Sequence, residues 1–201
     1  STDADAEIIE AAYTKVAQAE SEEPRAHVIN AETPGAIARA AAGRGLPVVH
    51  ISTDYVFDGQ GTSPFSTDHP VAPLGAYGRT KEAGEAAVRD SGARHAILRT
   101  SWVFSAHGAN FVKTMLRLGA ERDALTIVDD QIGGPTPARA IAAACLAIAD
   151  QLLVDPDKSG TYHFSGTDDV SWADFARAIF AAAGRDIRVT SIRTQDCPTA
   201  A

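Results

Sequence analysis

Helix and strand patterns alternate along most of this chain, and that alternation restricts its fold more than any other feature of the sequence. Short apolar runs typical of buried strands are separated by longer stretches with a helical spacing of apolar residues. This order predicts a mostly parallel sheet with right-handed crossovers and helices on its faces. The predicted strands are residues 46–52, 95–104, 126–129 and 161–165. The predicted helices are residues 3–19, 24–43, 76–91, 108–120, 138–153 and 172–183.

The turn-rich segment 155–160 marks a change in this pattern, because only a short strand and one capped helix follow it. With 201 residues the chain can bury one sizeable core and carry a small second lobe. We therefore predict an α/β, Rossmann-like domain over residues 1–153 and part of a smaller lobe over residues 154–201.

Composition and charge restrict the partners and the location of the protein. The net charge of −8, without a run of more than two Lys or Arg residues, makes a nucleic-acid or anionic-membrane surface unexpected. No apolar run approaches the ~20 residues that span a bilayer, and no charged and then apolar leader opens the sequence. The sequence therefore predicts a cytoplasmic protein. Its two cysteines and six histidines lack the spacing of metal ligands, so no transition-metal site is expected.

The stretch Ser52–Gly59 (STDYVFDG) places two hydroxyls, a carboxylate and a phenol directly after a predicted strand. An open α/β sheet presents polar groups to its ligand at the carboxyl ends of its strands. The same residue types also favour ordinary turns. The stretch alone therefore leaves a ligand site and a simple turn equally open.

Tyr77 and Lys81 lie four residues apart at the start of a predicted helix, and this spacing puts both side chains on one helix face. An ammonium held beside a phenol stabilises the phenolate and lowers its pKa from about 10 towards neutrality. A pair at this spacing also arises by chance. Because the helix follows the Ser52–Gly59 stretch, we expect Thr53 and Tyr77 to reach the same reacting oxygen. A hydroxyl, a phenol and an ammonium together suit the reduction of a ketone by hydride.

Five motifs, in this order and at this spacing, resemble those of the dTDP-4-dehydrorhamnose reductase family, part of the extended short-chain dehydrogenase/reductase superfamily. They are STDYVFDG at 52–59, AYGRTK at 76–81, RTSWVF at 99–104, NF at 110–111 and DQIGGPT at 130–136. The resemblance runs from about residue 11 to about residue 199. It implies reduction of dTDP-4-dehydro-L-rhamnose to dTDP-L-rhamnose with NADPH.

The resemblance also implies roles for single residues. Tyr77 would donate the proton, Lys81 would lower the pKa of Tyr77 and hold the nicotinamide ribose, and Thr53 would bind the substrate carbonyl. The residues implied for cofactor binding are Ala11, Ala12, Tyr13, Ser52, Tyr77 and Lys81. Those implied for substrate binding are Thr53, Asp54, Tyr55, Trp102 and Asn110. Trp102 also fits a core aromatic at a strand end, and Asn110 fits a helix N-cap.

The sequence departs from the family pattern in three ways. It lacks the first strand and glycine-rich turn that hold the cofactor pyrophosphate, so we expect a chain truncated at both ends, by roughly fifty residues at the front. The segment 9–14, a strand end in the family, fits the predicted helix 3–19 here. Arg139 occupies a position where some relatives carry a metal-binding glutamate, so no metal is expected.

The loss of the first strands has a structural consequence. The strand 46–52 would expose an unpaired hydrogen-bonding edge, so we expect a homo-oligomer or a rearranged N-terminus that covers it. The absence of the first strands and the glycine-rich turn also leaves two functions open. The intact Thr53, Tyr77 and Lys81 favour a reductase, whereas the missing phosphate loop favours a non-catalytic regulatory or binding protein on the same scaffold, or an inactive fragment.

Overall fold

The computed structural model of the chain describes residues 4–197. The chain divides into two compact units, which we describe one at a time. The first contains residues 4–100 and 142–164, and the second contains residues 101–141 and 165–197. This division differs from the predicted boundary at residues 153 and 154, because the chain after residue 141 returns to the first unit.

The strands are β1 (Glu7–Ile9), β2 (Val48–Thr53), β3 (His95–Thr100), β4 (Val103–Phe104), β5 (Ala124–Val128), β6 (Ile132–Gly133), β7 (Thr136–Pro137), β8 (Gly160–His163), β9 (Val170–Ser171) and β10 (Arg188–Ile192). The helices are α1 (Val16–Ala19), α2 (Glu23–His27), α3 (Thr33–Ala42), α4 (Ala76–Arg89), α5 (Phe111–Glu121), α6 (Ala138–Val154) and α7 (Trp172–Ala182). A π-helical turn, Val28–Glu32, joins α2 to α3. Every predicted strand and helix after residue 20 is therefore present within a few residues of its predicted bounds, although one strand is divided.

A four-stranded parallel sheet forms the centre of the first unit, in the order β1-β2-β3-β8. This confirms the predicted α/β class with a mostly parallel sheet. Five of the six residues of β2 are buried, as expected for a strand covered on both faces. The helices α3 and α4 pack on this sheet through an apolar cluster made of Ile9, Ala38, Ala41, Val48, Val88, Ala93 and Ile97.

The prediction of a helix over residues 3–19 is wrong for residues 4–15 and right only for its last turn, while residue 3 lies outside the described residues. Residues 7–9 form β1, which pairs with β2 from Glu7 opposite Val48 to Ile9 opposite His50, and the helix α1 begins only at Val16. Ile8, Ala12 and Val16 have helical spacing, but the backbone hydrogen bonds that β2 offers decide the local structure. The expected bare edge of the strand 46–52 is therefore covered by the N-terminal segment of this chain.

Short ladders and two helices build the second unit. The strands β5 and β10 pair in parallel, β4 and β7 pair in parallel, and β6 and β9 pair antiparallel. The Ser171 hydroxyl caps α7 by accepting a hydrogen bond from Asp174 N at 3.0 Å. The core of this unit consists of Met115, Leu125, Ile127, Ala173, Ala176, Ile179 and Phe180.

The predicted strand 95–104 is interrupted at Trp102, which has a φ of +48°. This left-handed backbone conformation is uncommon for a large side chain and ends the regular ladder after Thr100. Within residues 4–197, no helix is long and apolar enough to cross a bilayer. The same residues hold no group of three or more His, Cys, Asp or Glu side chains arranged around a metal position.

Candidate active site

Thr53 ends β2 and at the same time begins the next turn. Its hydroxyl accepts a hydrogen bond from Tyr55 N at 3.2 Å and so caps the 3₁₀ turn Asp54–Val56. The same hydroxyl donates to Asp54 Oδ1 at 3.1 Å. The polar residues that begin the Ser52–Gly59 stretch therefore form a capped turn at the carboxyl end of a buried strand. It leaves a hydroxyl at the edge of the sheet where open α/β folds bind ligands.

The first turn of α4 brings Tyr77 to this edge. Gly78 makes the approach possible, because a Cβ at that position would collide with the backbone oxygen of Tyr55. Glu20 holds the start of the helix through a hydrogen bond that its Oε1 accepts from Ala76 N at 2.7 Å. The rings of Tyr55 and Tyr77 meet edge to face with centroids 5.5 Å apart. The phenol of Tyr77 is thus fixed beside Thr53 and the 3₁₀ turn.

The pKa of Tyr77 moves in the direction opposite to the one expected. Burial raises it to about 12, a hydrogen bond from Thr53 lowers it, and the charge of Asp54 raises it further. Lys81 is not among the groups that shift it. Tyr77 is therefore a neutral phenol with its proton in place at every physiological pH.

Lys81 lies one turn further along α4 and is 2% exposed. Its Nζ donates a hydrogen bond to the backbone oxygen of Ile51, in β2, at 2.7 Å. Burial lowers the pKa of Lys81 to about 8, while the negative charge of Glu85 acts in the opposite direction. The ammonium is therefore tied to the strand that carries Thr53 and stays mostly protonated at neutral pH.

Asn30, in the π-helical turn, is a buried residue that the sequence analysis missed. Its Oδ1 accepts from Tyr13 N at 2.7 Å, and its Nδ2 donates to Tyr13 O at 3.3 Å and to the Thr80 hydroxyl at 3.0 Å. Thr80 in turn donates to the backbone oxygen of Tyr77 at 2.9 Å. Asn30 therefore links the loop after β1 to the turn of α4 that carries the catalytic candidates. No local sequence signal marks it, because its partners are 17 and 50 residues away.

The residues implied for cofactor binding lie in two places in the first unit. Ala11, Ala12 and Tyr13 follow the carboxyl end of β1, which is parallel to β2 and ends at the same edge of the sheet. Ser52 is 3% exposed, and its hydroxyl donates to Glu85 Oε1 at 2.6 Å. The Ser52 side chain is therefore committed to a buried contact, and its assignment to the cofactor stays a prediction.

Two of the residues implied for substrate binding, Trp102 and Asn110, belong to the second unit. The indole of Trp102 stacks on that of Trp172 with centroids 3.5 Å apart and an interplanar angle of 11°. Gly133 leaves room for this indole, because a Cβ there would lie 2.7 Å from the Trp102 ring. Asn110 is the N-cap of α5: its Oδ1 accepts from Lys113 N at 3.1 Å. Asn110 thus has the N-cap role considered as its alternative, whereas Trp102 is only partly buried and stacks on Trp172. Contact of either residue with a substrate stays a prediction.

Comparison with known proteins identifies close relatives. The family model described as "RmlD substrate binding domain" matches residues 1–201. A dTDP-4-dehydrorhamnose reductase from Sinorhizobium fredii is 46% identical over 197 residues, which are 95% of this chain and 67% of that protein. The enzyme of the same name from Escherichia coli K12 is 46% identical over 174 residues, or 86% of this chain and 58% of that protein. This chain thus spans about three fifths to two thirds of the length of these two relatives.

A solved structure shows the same fold at a comparable identity. The dTDP-4-dehydrorhamnose reductase of Bacillus anthracis, crystallised in complex with NADP, superposes with a TM-score of 0.86 at 41% identity. The superposition covers 96% of this chain and 68% of that one. The α/β fold with a Rossmann-like sheet, expected from the sequence, is therefore confirmed.

Proposed function

This chain belongs to the RmlD substrate binding domain family, and from that premise we propose that it reduces the 4-keto group of a dTDP-sugar with NADPH. The relatives named dTDP-4-dehydrorhamnose reductase suggest dTDP-4-dehydro-L-rhamnose as the substrate, and the relative bound to NADP suggests the cofactor. The observation that carries the proposal is the convergence of Thr53, Tyr77 and Lys81 at the carboxyl end of β2.

The residues at this edge fit the nicotinamide-ribose part of the proposed cofactor. Lys81 is held by one hydrogen bond to Ile51 O, and an ammonium has three N–H groups, so the same side chain can also donate to ribose hydroxyls. The loop of Ala11, Ala12 and Tyr13 follows the neighbouring parallel strand at the same edge, where dinucleotides lie in open α/β folds. When bound, NADPH supplies the hydride that adds to the carbonyl carbon.

Thr53 and Tyr77 would handle the carbonyl oxygen. The Thr53 hydroxyl can turn from Asp54 to the carbonyl oxygen and polarise it, because a hydroxyl proton rotates freely about its C–O bond. As hydride adds to carbon, the π electrons of the carbonyl move to oxygen, which takes the proton of the Tyr77 phenol. One hydride and one proton convert the ketone to an alcohol. The phenolate left on Tyr77 is stabilised by the Lys81 ammonium on the same helix face.

A high phenol pKa suits this direction of reaction. The burial that raises the pKa of Tyr77 to about 12 keeps its proton in place until an alkoxide, a stronger base, forms beside it. A tyrosine ionised at neutral pH would instead favour alcohol oxidation. Lys81 is not among the groups that shift the pKa of Tyr77 in this structure, so its stabilisation of the phenolate after proton donation is part of the proposal.

The second unit has features that would bind the nucleotide diphosphate. Asn110, Lys113 and Arg117 line a surface cleft of about 490 Å³ at the start of α5. Two cations and the N-terminus of an 11-residue helix form a favourable environment for an anion. Contact of Asn110 with the diphosphate is therefore part of the proposal. A cytoplasmic location, predicted from the sequence, is also part of it. The reason for expecting a homo-oligomer, the bare edge of β2, is removed by the pairing of β1.

A titration and an assay together test the proposed function. NADPH is titrated into the chain while nicotinamide fluorescence is followed, and its oxidation is then measured with dTDP-4-dehydro-L-rhamnose. We expect micromolar binding and a turnover that Tyr77→Phe lowers about a thousandfold. The matched control is Tyr162→Phe, which removes a phenol that is 38% exposed and donates to Lys158 O.

Each other outcome points to a different conclusion. Binding of NADPH without turnover would favour the regulatory or binding alternative. The absence of binding at millimolar NADPH would rule out the cofactor site in this chain. Equal turnover of Tyr77→Phe and the parent would remove Tyr77 from the mechanism.

A further inference from the structure

The helix α4 carries a third functional group in line with Tyr77 and Lys81. Glu85 lies four residues after Lys81, so the three side chains occupy successive turns of the same face. Glu85 is fully buried, and its carboxylate accepts from Arg99 Nε at 2.9 Å and from Arg99 Nη2 at 2.7 Å. This is a two-pronged pair between a carboxylate and a guanidinium, the arrangement with the strongest directional preference among protein ion pairs.

The pair of Glu85 and Arg99 connects the helix α4 with the strands β2 and β3, next to the carboxyl end of β2 where Thr53, Tyr77 and Lys81 lie. Glu85 belongs to α4, Arg99 to β3, and Ser52, which also donates to Glu85, precedes Thr53 in β2. Lys81 adds a second tie between the same helix and strand through Ile51 O. The position of the carboxylate therefore fixes the register of α4 against β2, and with it the positions of Lys81 and Thr53.

Arg99 also reaches the loop that follows the 3₁₀ turn. Its Nη1 donates to Thr67 O at 3.2 Å, and its guanidinium lies 5.0 Å from the centroid of the Phe57 ring. Arg99 is 5% exposed, so these contacts are made in a site from which water is nearly excluded. A single guanidinium therefore fixes the catalytic helix and the loop of the Ser52–Gly59 stretch at once.

We propose that Glu85 and Arg99 are positioning residues for the reduction, which hold Lys81 and Thr53 in a common register without touching the substrate. The proposal rests on the proposed function. A buried ion pair often stabilises a fold no more than well-packed apolar residues would. Its contribution here is geometric, because a small displacement of Lys81 or Thr53 would misplace the groups that act on the carbonyl oxygen.

The kinetic test compares Arg99→Lys with Arg89→Gln. Arg89 is the other cation on Glu85, at 3.2 Å, but its side chain is 37% exposed and it belongs to the same helix as Glu85. Arg99→Lys keeps the charge and loses the two-pronged geometry, so we expect a fall in kcat between about tenfold and a hundredfold, with a smaller rise in KM for NADPH because Lys81 also faces the ribose in the proposed function. Arg89→Gln should stay within about twofold of the parent.

A second test works whether or not the chain turns over substrate. The chain has four lysines, Lys15, Lys81, Lys113 and Lys158, so carbon-13 at lysine Cε gives four signals, and that of Lys81 is the one lost in Lys81→Arg. In Glu85→Gln, loss of the carboxylate should shift the titration midpoint of Lys81 to lower pH. In Arg99→Lys, the Lys81 signal should move at constant pH. In Arg89→Gln, neither change is expected.

The two tests separate the failure of this proposal from that of the proposed function. A parent without turnover would overturn the proposed function, and the Lys81 signals alone would then decide whether the pair positions Lys81. If Glu85→Gln fails to fold, Arg99→Lys still gives both the change in kcat and the change in the Lys81 signal. If Arg99→Lys lowers the melting temperature but leaves kcat and the Lys81 signal as in the parent, the pair only stabilises the fold and the proposal is wrong.

Discussion

The two units hold their functional side chains by different physical means. In the first, a polar network of directional hydrogen bonds and a buried ion pair lies between α4 and its neighbours. In the second, an aromatic cluster holds Trp102 by ring stacking. The members of the polar network are Asn30, Ser52, Thr80, Glu85 and Arg99. The members of the aromatic cluster are Trp102, Phe104, Phe111, Trp172 and Phe175.

This difference determines how precisely each unit places its groups and how much change it tolerates. A hydrogen bond weakens steeply when its geometry changes, and a buried donor left without an acceptor is unfavourable by about 1–3 kcal/mol. Ring contacts are broad in geometry, so neighbouring side chains can repack after a change. The first unit should therefore be intolerant of near-isosteric substitution, and the second should be tolerant. Four predictions test this contrast.

The largest expected effect is that of Asn30→Asp in the polar network. Aspartate keeps the shape and the acceptor for Tyr13 N but loses the amide that donates to Tyr13 O and to Thr80. It also places a charge at a fully buried position, where the groups that bond to Asn30 are the uncharged backbone of Tyr13 and the hydroxyl of Thr80. We expect the free energy of unfolding at pH 7 to fall by about 3 kcal/mol or more. Urea titration followed by circular dichroism at 222 nm measures it.

The same substitution in the second unit is the matched control. Asn110→Asp keeps the N-cap of α5, where aspartate is as favourable as asparagine, and loses the amide that donates to Ser105 O at a position that is only partly buried. The change in the free energy of unfolding should stay below about 1 kcal/mol. Equal losses for the two variants would show that burial and hydrogen bonding do not distinguish the two units.

The sequence predicts the parts of this site that depend on local spacing. The strand β2 and the helix α4 follow from their apolar periodicity, and Tyr77 and Lys81 share a helix face because they are four residues apart. Thr53 follows from its place after a buried strand. These features are fixed within one element or between neighbours along the chain, where propensity and patterning apply.

The parts that sequence analysis missed depend on contacts between distant segments. Asn30 bonds to Thr80 across 50 residues, and Glu85 gathers Ser52 and Arg99 from two strands. Polar residues in helical patterns ordinarily face solvent, so nothing local distinguishes Glu85 as buried. The strand β1 was missed for the same reason, because its three residues are extended only through pairing with β2. The rise in the pKa of Tyr77 likewise depends on tertiary burial.

The second prediction concerns His50, which with Thr100 is one of two residues in the first unit that bury a polar side-chain atom without a hydrogen-bond partner among residues 4–197. Neither of its ring nitrogens has a hydrogen-bond partner among residues 4–197, and burial lowers its pKa from the ordinary 6.5 to about 3. The unfolded chain therefore binds a proton that the folded chain does not, and stability is lost as the pH falls from about 6.5 towards 3. His50 should account for a loss of about 2 kcal/mol between pH 7 and pH 5.

His50→Leu should remove that part of the decrease in the free energy of unfolding between pH 7 and pH 5, as measured by urea titrations at the two pH values. At pH 7 the variant should be as stable as the parent or more stable, because it no longer buries the unpaired imidazole. The control is His107→Gln, at an exposed position, which should show the same pH dependence as the parent. If the free energy of unfolding of His50→Leu decreases between pH 7 and pH 5 as much as that of the parent, His50 is not the group responsible.

The third prediction is a smaller effect, for Trp172→Phe in the aromatic cluster. Phenylalanine keeps a ring against Trp102 and loses the hydrogen bond from Trp172 Nε1 to Gln131, which is 3.2 Å long. We expect a loss of about 1 kcal/mol, since neighbouring rings can adjust. Both tryptophans of the chain lie in the second unit, so the fluorescence of Trp102 then reports on that unit directly. A loss as large as that for Asn30→Asp would contradict the proposed tolerance.

The smallest effect is expected for Arg79→Gln. This variant tests an exposed ion pair of the first unit, for comparison with the buried pair of Arg99 and Glu85. Arg79 pairs with Glu23 at 2.8 Å, in a two-pronged arrangement like that of Arg99 with Glu85, but both side chains are about two fifths exposed. Water and salt screen such a pair, and fixing two long side chains offsets most of its attraction. The urea midpoint of Arg79→Gln should therefore equal that of the parent at high salt and differ only slightly at low salt. A large loss that persists at high salt would show that two-pronged geometry, rather than burial, makes the polar network sensitive to substitution.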